Sequence, residues 1–178
     1  MNDNLDDNHL GEVIISEEEI AERVEELAAA VNKDYKGKEL VVVSILKSAL
    51  YFTTDLTRQL DLNLKLDLLE LSRYTERDNS GVIRVTRDLE FSIADREVLI
   101  IENIINTGLT HSYLVKNLKS RNPGSLSICT LINKPDKRLV ELPIDYTGFD
   151  IPEKFVVGYG LDYHEQYRNL PYIVEYLE

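Results

Sequence analysis

Apolar residues recur along this chain at two spacings, and the spacings predict its elements. Ile20, Val24, Leu27, Ala28 and Val31 fall on one helical face, with glutamates on the solvated side. Ser16 and Glu19 form a capping-box signature before them, and Gly37 is a natural stop, so the helix should end near Tyr35. Residues 40–46, 64–71, 98–101 and 126–132 are apolar runs of strand length. Residues 49–60 read as a helix with Leu56 and Leu60 inward, and 110–120 as another with Leu114, Val115 and Leu118 inward. Short β-prone pieces at 82–85 and 89–91 predict a small antiparallel flap. Residues 140–149 are β-like, 155–157 lead into Gly158-Tyr159-Gly160, and 171–177 should close the chain as an edge strand. Strand and helix alternate through the middle, which predicts an α/β fold with a mainly parallel sheet. One domain over residues 1–178 is expected, with 1–11 as a loose polar tail and His9 exposed in it.

Composition narrows the classes. Hydrophobic residues make up 43% and charged residues 29%, as in a globular chain. A net charge of −12 disfavours nucleic acid and anionic membrane surfaces, which need a basic face. It still permits a phosphate-bearing small molecule held by local donors. The single cysteine, Cys129, lies in an apolar run and reads as a small core residue. No apolar run is long enough for a membrane helix, and the acidic N-terminus lacks a signal-peptide pattern. A cytoplasmic location is the expectation.

The stretch 98–110 carries the chemistry. Its strand-length run leads through Glu102-Asn103 and Ile104-Ile105 to the turn Asn106-Thr107-Gly108 and a helix start at Thr110. A strand, a tight turn and a helix N-terminus together make an anion site, because the first helical N–H groups are unpaired and the macrodipole favours negative charge. Gly108 permits close backbone approach, and Thr107 and Thr110 add hydroxyls. A buried strand followed by a well-capped helix fits the same pattern. No Lys follows the Gly, and one Gly stands where a dinucleotide fingerprint has three. Lys47 and Lys134 both follow strand runs, where a ligand cleft lies in open α/β sheets, although by spacing alone a solvated lysine is the more usual reading. Residues 72–80, with Arg73 and Tyr74, are either a hairpin tip or a loop that closes over a site. His111, in the first turn of its helix, reads as a surface or capping residue.

These features together resemble the bacterial hypoxanthine (hypoxanthine-guanine) phosphoribosyltransferases of the type I fold. The resemblance runs from about residue 13 to 172. Its strongest matches are Leu131 to Pro135, Gly148-Phe149-Asp150-Ile151-Pro152, the run from Phe155 to Tyr163, and Tyr167-Arg168-Asn169-Leu170-Pro171-Tyr172-Ile173. It implies a mainly parallel sheet flanked by helices, with a small hood and a mobile β flap. It also implies purine salvage: a 6-oxopurine, hypoxanthine or guanine, displaces pyrophosphate from 5-phosphoribosyl-1-pyrophosphate (PRPP), giving IMP or GMP through an oxocarbenium-like transition state. Mg²⁺ is the implied cofactor, and a homodimer or homotetramer the implied assembly.

The resemblance also implies roles. Asn106, Thr107, Gly108, Leu109 and Thr110 would cradle the 5′-phosphate. Glu102 and Asn103 would bind the ribose hydroxyls. Lys134 would reach the exocyclic purine oxygen, Phe155 would stack on the base, and the Val156 backbone would read its edge. Asp162 would hold Mg²⁺, with Glu102 as a second metal-side carboxylate. Lys47, Ser48 and Arg168 would meet pyrophosphate, and Arg73-Tyr74 would sit in the mobile loop.

Four departures stand out. The family motif Glu-Asp-Ile-Ile-Asp-Thr-Gly has Asn at both Asp positions here, Asn103 and Asn106. The family's acid at the second position exchanges a proton with purine N7, which an amide cannot do at neutral pH. Ser48 stands where Gly usually follows the pyrophosphate-loop Lys, a loop often carrying a non-proline cis bond. Arg73 precedes Tyr74 where the family usually has Ser. An active, slowed enzyme is the expectation, with a nucleotide- or PRPP-binding regulatory protein as the alternative. Restoring Asp at both asparagines should raise turnover.

Overall fold

The chain enters through β1 (Leu10–Ile15) and passes at once into α1 (Glu17–Asp34). Ser16 caps this helix as the sequence predicts: its Oγ accepts the Glu19 N–H at 3.2 Å, and its own N–H donates to Glu19 Oε2 at 2.8 Å. The structure, a computed structural model, describes residues 7–73 and 83–177. There follow β2 (Glu39–Leu46), α2 (Leu50–Thr57), β3 (Asn63–Arg73) and β4 (Ile83–Arg87). Next come β5 (Glu97–Ile105), α3 (Leu109–Lys119), β6 (Ser125–Asn133) and β7 (Tyr146–Asp150). β8 (Val156–Val157) and β9 (Ile173–Tyr176) complete the order.

The main sheet has six strands in the order β4-β3-β2-β5-β6-β7. Every pair in it is parallel except β3 with β4. Period-two alternation explains the continuous apolar runs, because both faces of the sheet are covered. Leu40, Val42, Leu99 and Ile101 join the core under α1 and α2 with Ile20, Val24, Phe52 and Leu56. Val41, Val43, Val98 and Ile100 join the opposite core under α3 with Leu114 and Leu118. Cys129 is fully buried, and burial pushes its thiol far up, so it stays a core residue. Arg23 of α1 donates to the carbonyls of Gly148 and Thr147 at 2.8 and 2.9 Å, which ties α1 to edge strand β7.

Several local expectations change. β5 runs through Glu102-Asn103 to Ile105, since polar side chains do not interrupt a ladder that continues against β6. Residues 89–91 form no strand: the Glu90 and Phe91 N–H groups donate to buried Asp67 Oδ2 at 2.8 and 3.0 Å. Of 140–149 only the last part is β7; Pro143 lacks a ladder donor, and Asp145 Oδ2 accepts the Ile128 N–H at 2.8 Å. The closing segment is no edge. β9 lies between β1 and β8 in a second, antiparallel sheet of three strands, which is the expected small hood. The supposed tail therefore begins a strand at Leu10, and exposed His9 stacks on Tyr176 with ring centroids 5.5 Å apart. The expected flap is β3 with β4; Tyr74 and the rest of 74–82 lie outside the described residues, as do 1–6.

Candidate active site

Three neighbouring parallel strands end at one edge of the main sheet, and each end delivers candidate residues. β2 delivers Lys47 and Ser48, after a non-proline cis bond between Leu46 and Lys47. β5 delivers Glu102 and the turn 106–108, and β6 delivers Lys134. A cleft of about 440 Å³ along this edge is lined by Ser48, Glu102, Asn106, Thr107, Gly108, Thr110, His111 and Asp162, with Ile45, Leu71 and Ile104 as its apolar wall.

The turn after β5 has the geometry of an anion cradle. Gly108 takes the N-cap position of α3 with φ 80°, a left-handed conformation that side-chain-bearing residues rarely adopt. Gly108 offers no side-chain cap, and the first N–H of α3, that of Leu109, donates to Thr107 Oγ1 at 3.4 Å beside the cleft. Arg138 packs behind this turn: its Nη1 would lie 3.0 Å from a Cβ on Gly108, and it is buried without a partner among the described residues. Burial holds the Arg138 guanidinium below its usual pKa. Nothing in the sequence spacing pointed to Arg138.

Glu102 is 5% exposed and faces the cleft, where hydrogen bonds orient its carboxylate. Oε1 accepts the Asn103 N–H at 3.1 Å and the Ser48 hydroxyl at 3.3 Å, and Oε2 lies 2.8 Å from His111 Nε2. His111 is thus no surface residue: its side chain is 12% exposed and turned onto Glu102. Helical periodicity cannot reveal which strand residue lies beneath a helix's first turn.

Asn103 departs from its expected place. Its side chain is fully buried, outside the cleft lining, and its Nδ2 donates to the Tyr159 carbonyl at 2.7 Å. It therefore straps β5 to the segment after β8. Gly160 makes this approach possible: a Cβ there would sit 2.0 Å from Ser48 O and 3.1 Å from Asn103 Nδ2. Tyr159 itself is anchored by a 2.5 Å bond from its hydroxyl to Asp55, and burial with that bond pushes its phenol up.

The segment after β8 supplies a charged cluster. Arg168 Nη2 meets Asp162 at 2.8 Å and Glu165 at 3.4 Å, while Lys47 Nζ meets Glu165 at 3.0 Å. The Glu165 carboxyl is held below its usual pKa, first by the Lys47 hydrogen bond and then by Arg168. Glu165 was missed from sequence because its role depends on two cations from distant chain positions.

Lys134 lies 5% exposed, and its ammonium donates to the Lys154 carbonyl. Burial, with Lys137 adding like charge, holds it below the usual lysine pKa. The bond places Lys134 beside Phe155 and Val156. The Phe155 ring is 46% exposed and packs edge-on against Tyr163 at 5.9 Å. β8, which carries Val156, is an edge strand of the hood.

Comparison with known proteins finds matches over most of the chain. The phosphoribosyl transferase domain family matches residues 14–164. A hypoxanthine-guanine phosphoribosyltransferase of Dictyostelium discoideum is 47% identical over 172 residues, covering 94% of this chain and 96% of that protein. The bifunctional protein TilS/HprT of Listeria monocytogenes is 45% identical over 167 residues; these are 93% of this chain, which spans only 26% of that protein. The crystal structure of a hypoxanthine phosphoribosyltransferase from Staphylococcus aureus superposes with a TM-score of 0.92 at 42% identity, over 99% of this chain and 96% of that one.

Proposed function

The chain belongs to the phosphoribosyl transferase family, and from that premise we propose that it transfers the 5-phosphoribosyl group of PRPP to hypoxanthine or guanine, giving IMP or GMP and pyrophosphate in purine salvage. One observation carries the reading: a single cleft joins the turn 106–110 to Glu102, Ser48 and Asp162. In this reading the α3 N-terminus and the hydroxyls of Thr107 and Thr110 hold the 5′-phosphate, with the Leu109 N–H turning to it from Thr107 Oγ1. The Glu102 carboxylate takes the ribose hydroxyls and offsets the positive charge that develops at the sugar. Lys134 turns from the Lys154 carbonyl to the exocyclic purine oxygen, Phe155 stacks on the base, and the Val156 backbone reads its edge. Lys47, Ser48 and Arg168 receive pyrophosphate.

Mg²⁺ fits the donor set. The ion is typically bound by one or two carboxylates together with substrate phosphates. Glu102 and Asp162 both line the cleft, and among the described residues no group of three ligating side chains forms a ready-made metal cage. These two carboxylates would hold the ion, which supplies charge neutralisation of the leaving pyrophosphate. No helix of the described residues is long and apolar enough to cross a membrane, and a cytoplasmic location is part of the same proposal. So is a homodimer or homotetramer, which would cover the exposed Leu50 and Tyr51 of α2.

The test is a PRPP-dependent assay with hypoxanthine, guanine and xanthine. Nucleotide should form with the first two. Asn106, an amide in the cleft, favours a second reading, a protein that holds a purine nucleotide or PRPP without turnover. Binding of nucleotide with no product at high protein concentration would decide for that second reading.

Pyrophosphate must also displace Glu165 from Lys47 and Arg168. Each exposed ion pair is weak, so Glu165→Gln should lower the KM for PRPP about two- to fivefold, with the purine KM unchanged. Initial-rate kinetics at varied PRPP would show it.

A further inference from the structure

We infer that His111 is the positioning residue for Glu102, closing a clasp between β5 and α3 that sets the ribose and phosphate contacts as one unit. The inference rests on the phosphoribosyl-transfer reading above. Glu102 stands on β5 and His111 in the first turn of α3, so their 2.8 Å bond spans the two elements that flank the turn 106–108. The turn that would cradle the 5′-phosphate is therefore the loop inside the clasp.

The direction of the bond follows from chemistry. A carboxylate only accepts, so the Nε2–H of His111 donates to Oε2. With Oε1 already receiving the Asn103 N–H and the Ser48 hydroxyl, both carboxylate oxygens are held. The His111 and Glu102 side chains are 12% and 7% exposed, so water competes weakly for the bond. A carboxylate fixed in this way needs no reorientation when ribose hydroxyls arrive. Without the imidazole, Oε2 is free to turn, and the strand end and helix start lose their side-chain link. The loss should fall on PRPP and spare the base, whose candidate contacts Lys134 and Phe155 belong to other elements.

Isosteres separate positioning from packing. The side-chain amide nitrogen of Gln reaches about where Nε2 lies, and that of Asn only about where Nδ1 lies. His111→Leu and His111→Asn should weaken PRPP binding and raise its KM about tenfold, whereas His111→Gln should stay within about twofold of the wild type. The purine KM should be the same in all three. Calorimetric PRPP affinity and steady-state kinetics read these effects, with thermal melts to show that each variant is folded. A substrate-free measurement accompanies them: ¹⁵N shifts of the wild-type His111 ring should report a protonated Nε2 bonded to carboxylate. Equal PRPP affinity in all three variants, or a ring protonated at Nδ1 alone, overturns the inference while leaving the proposed function standing. A wild type that neither binds PRPP nor forms nucleotide overturns the function reading, and this role with it.

Discussion

Asn106→Asp is expected to raise kcat by about 10²-fold or more, the lower end of what general acid–base assistance supplies. In the proposed reaction the purine gives up its N7 proton as N9 bonds to the sugar, and the group at position 106 is an exposed amide in the cleft lining. An amide has no usable basicity at neutral pH. A carboxylate of the same shape fits the same space, so the change adds a base without adding bulk. In the proposed pose its new charge would also lie near the sugar, where positive charge develops. Steady-state rates with hypoxanthine and PRPP measure the effect. A kcat equal to or below that of the wild type would show that proton transfer at the base does not limit turnover.

Asn103→Asp should act in the opposite direction, by destabilising the fold. The Asn103 side chain is fully buried and its Nδ2 donates to the Tyr159 carbonyl at 2.7 Å. A carboxylate there turns a donor into an acceptor and sets two oxygens against each other without a counter-ion. Leaving a buried charge unpaired costs about 3–5 kcal/mol. For a chain of this size that is a fall in Tm of roughly 10 °C. The pH dependence has a definite sign. Burial opposite a carbonyl raises the folded-state pKa of the introduced carboxyl above its unfolded value, so the folded state binds the extra proton. The deficit in Tm should therefore shrink as pH falls from 8 to 5, where a protonated carboxyl donates to Tyr159. A variant that melts with the wild type at pH 8 would show that the strap carries no stability.

The two asparagines, which depart from one motif, thus have different roles. The family resemblance gives Asn103 to the ribose hydroxyls and Asn106 to the phosphate and the N7 proton, and it expects the double change to raise turnover. The structure divides them: Asn106 lines the cleft, whereas Asn103 points through the strand to the segment after β8. Alternation along β5 carries neighbouring side chains to opposite faces, so Glu102 and Asn103 cannot share one task. The double variant should combine a gain at position 106 with a loss at position 103.

Much of the architecture was legible because it depends on local spacing. The capping box at Ser16, the apolar stripe of α1, the runs that became β2, β5 and β6, and the turn before α3 all follow from period and turn chemistry over a few residues. The errors share one cause. The Glu90 and Phe91 N–H groups turn to Asp67, β9 sits between two strands, and Leu10 starts a strand against Tyr176. Each depends on a partner far along the chain, and propensity has no term for it.

The candidate site divides in the same way. By itself the sequence determined which groups are present: a helix start after a tight turn, the Glu102 carboxylate, lysines after two strands, an aromatic ring ahead of a short strand, and an amide where the family it resembles has an acid. Those are properties of residue type and short-range order. Only the tertiary structure decided what each group faces. It set His111 on Glu102, Glu165 between Lys47 and Arg168, and Asn103 on Tyr159. Orientation comes from close packing between segments remote in sequence, and a hydrogen bond exists only where two such segments bring donor and acceptor within about 3 Å.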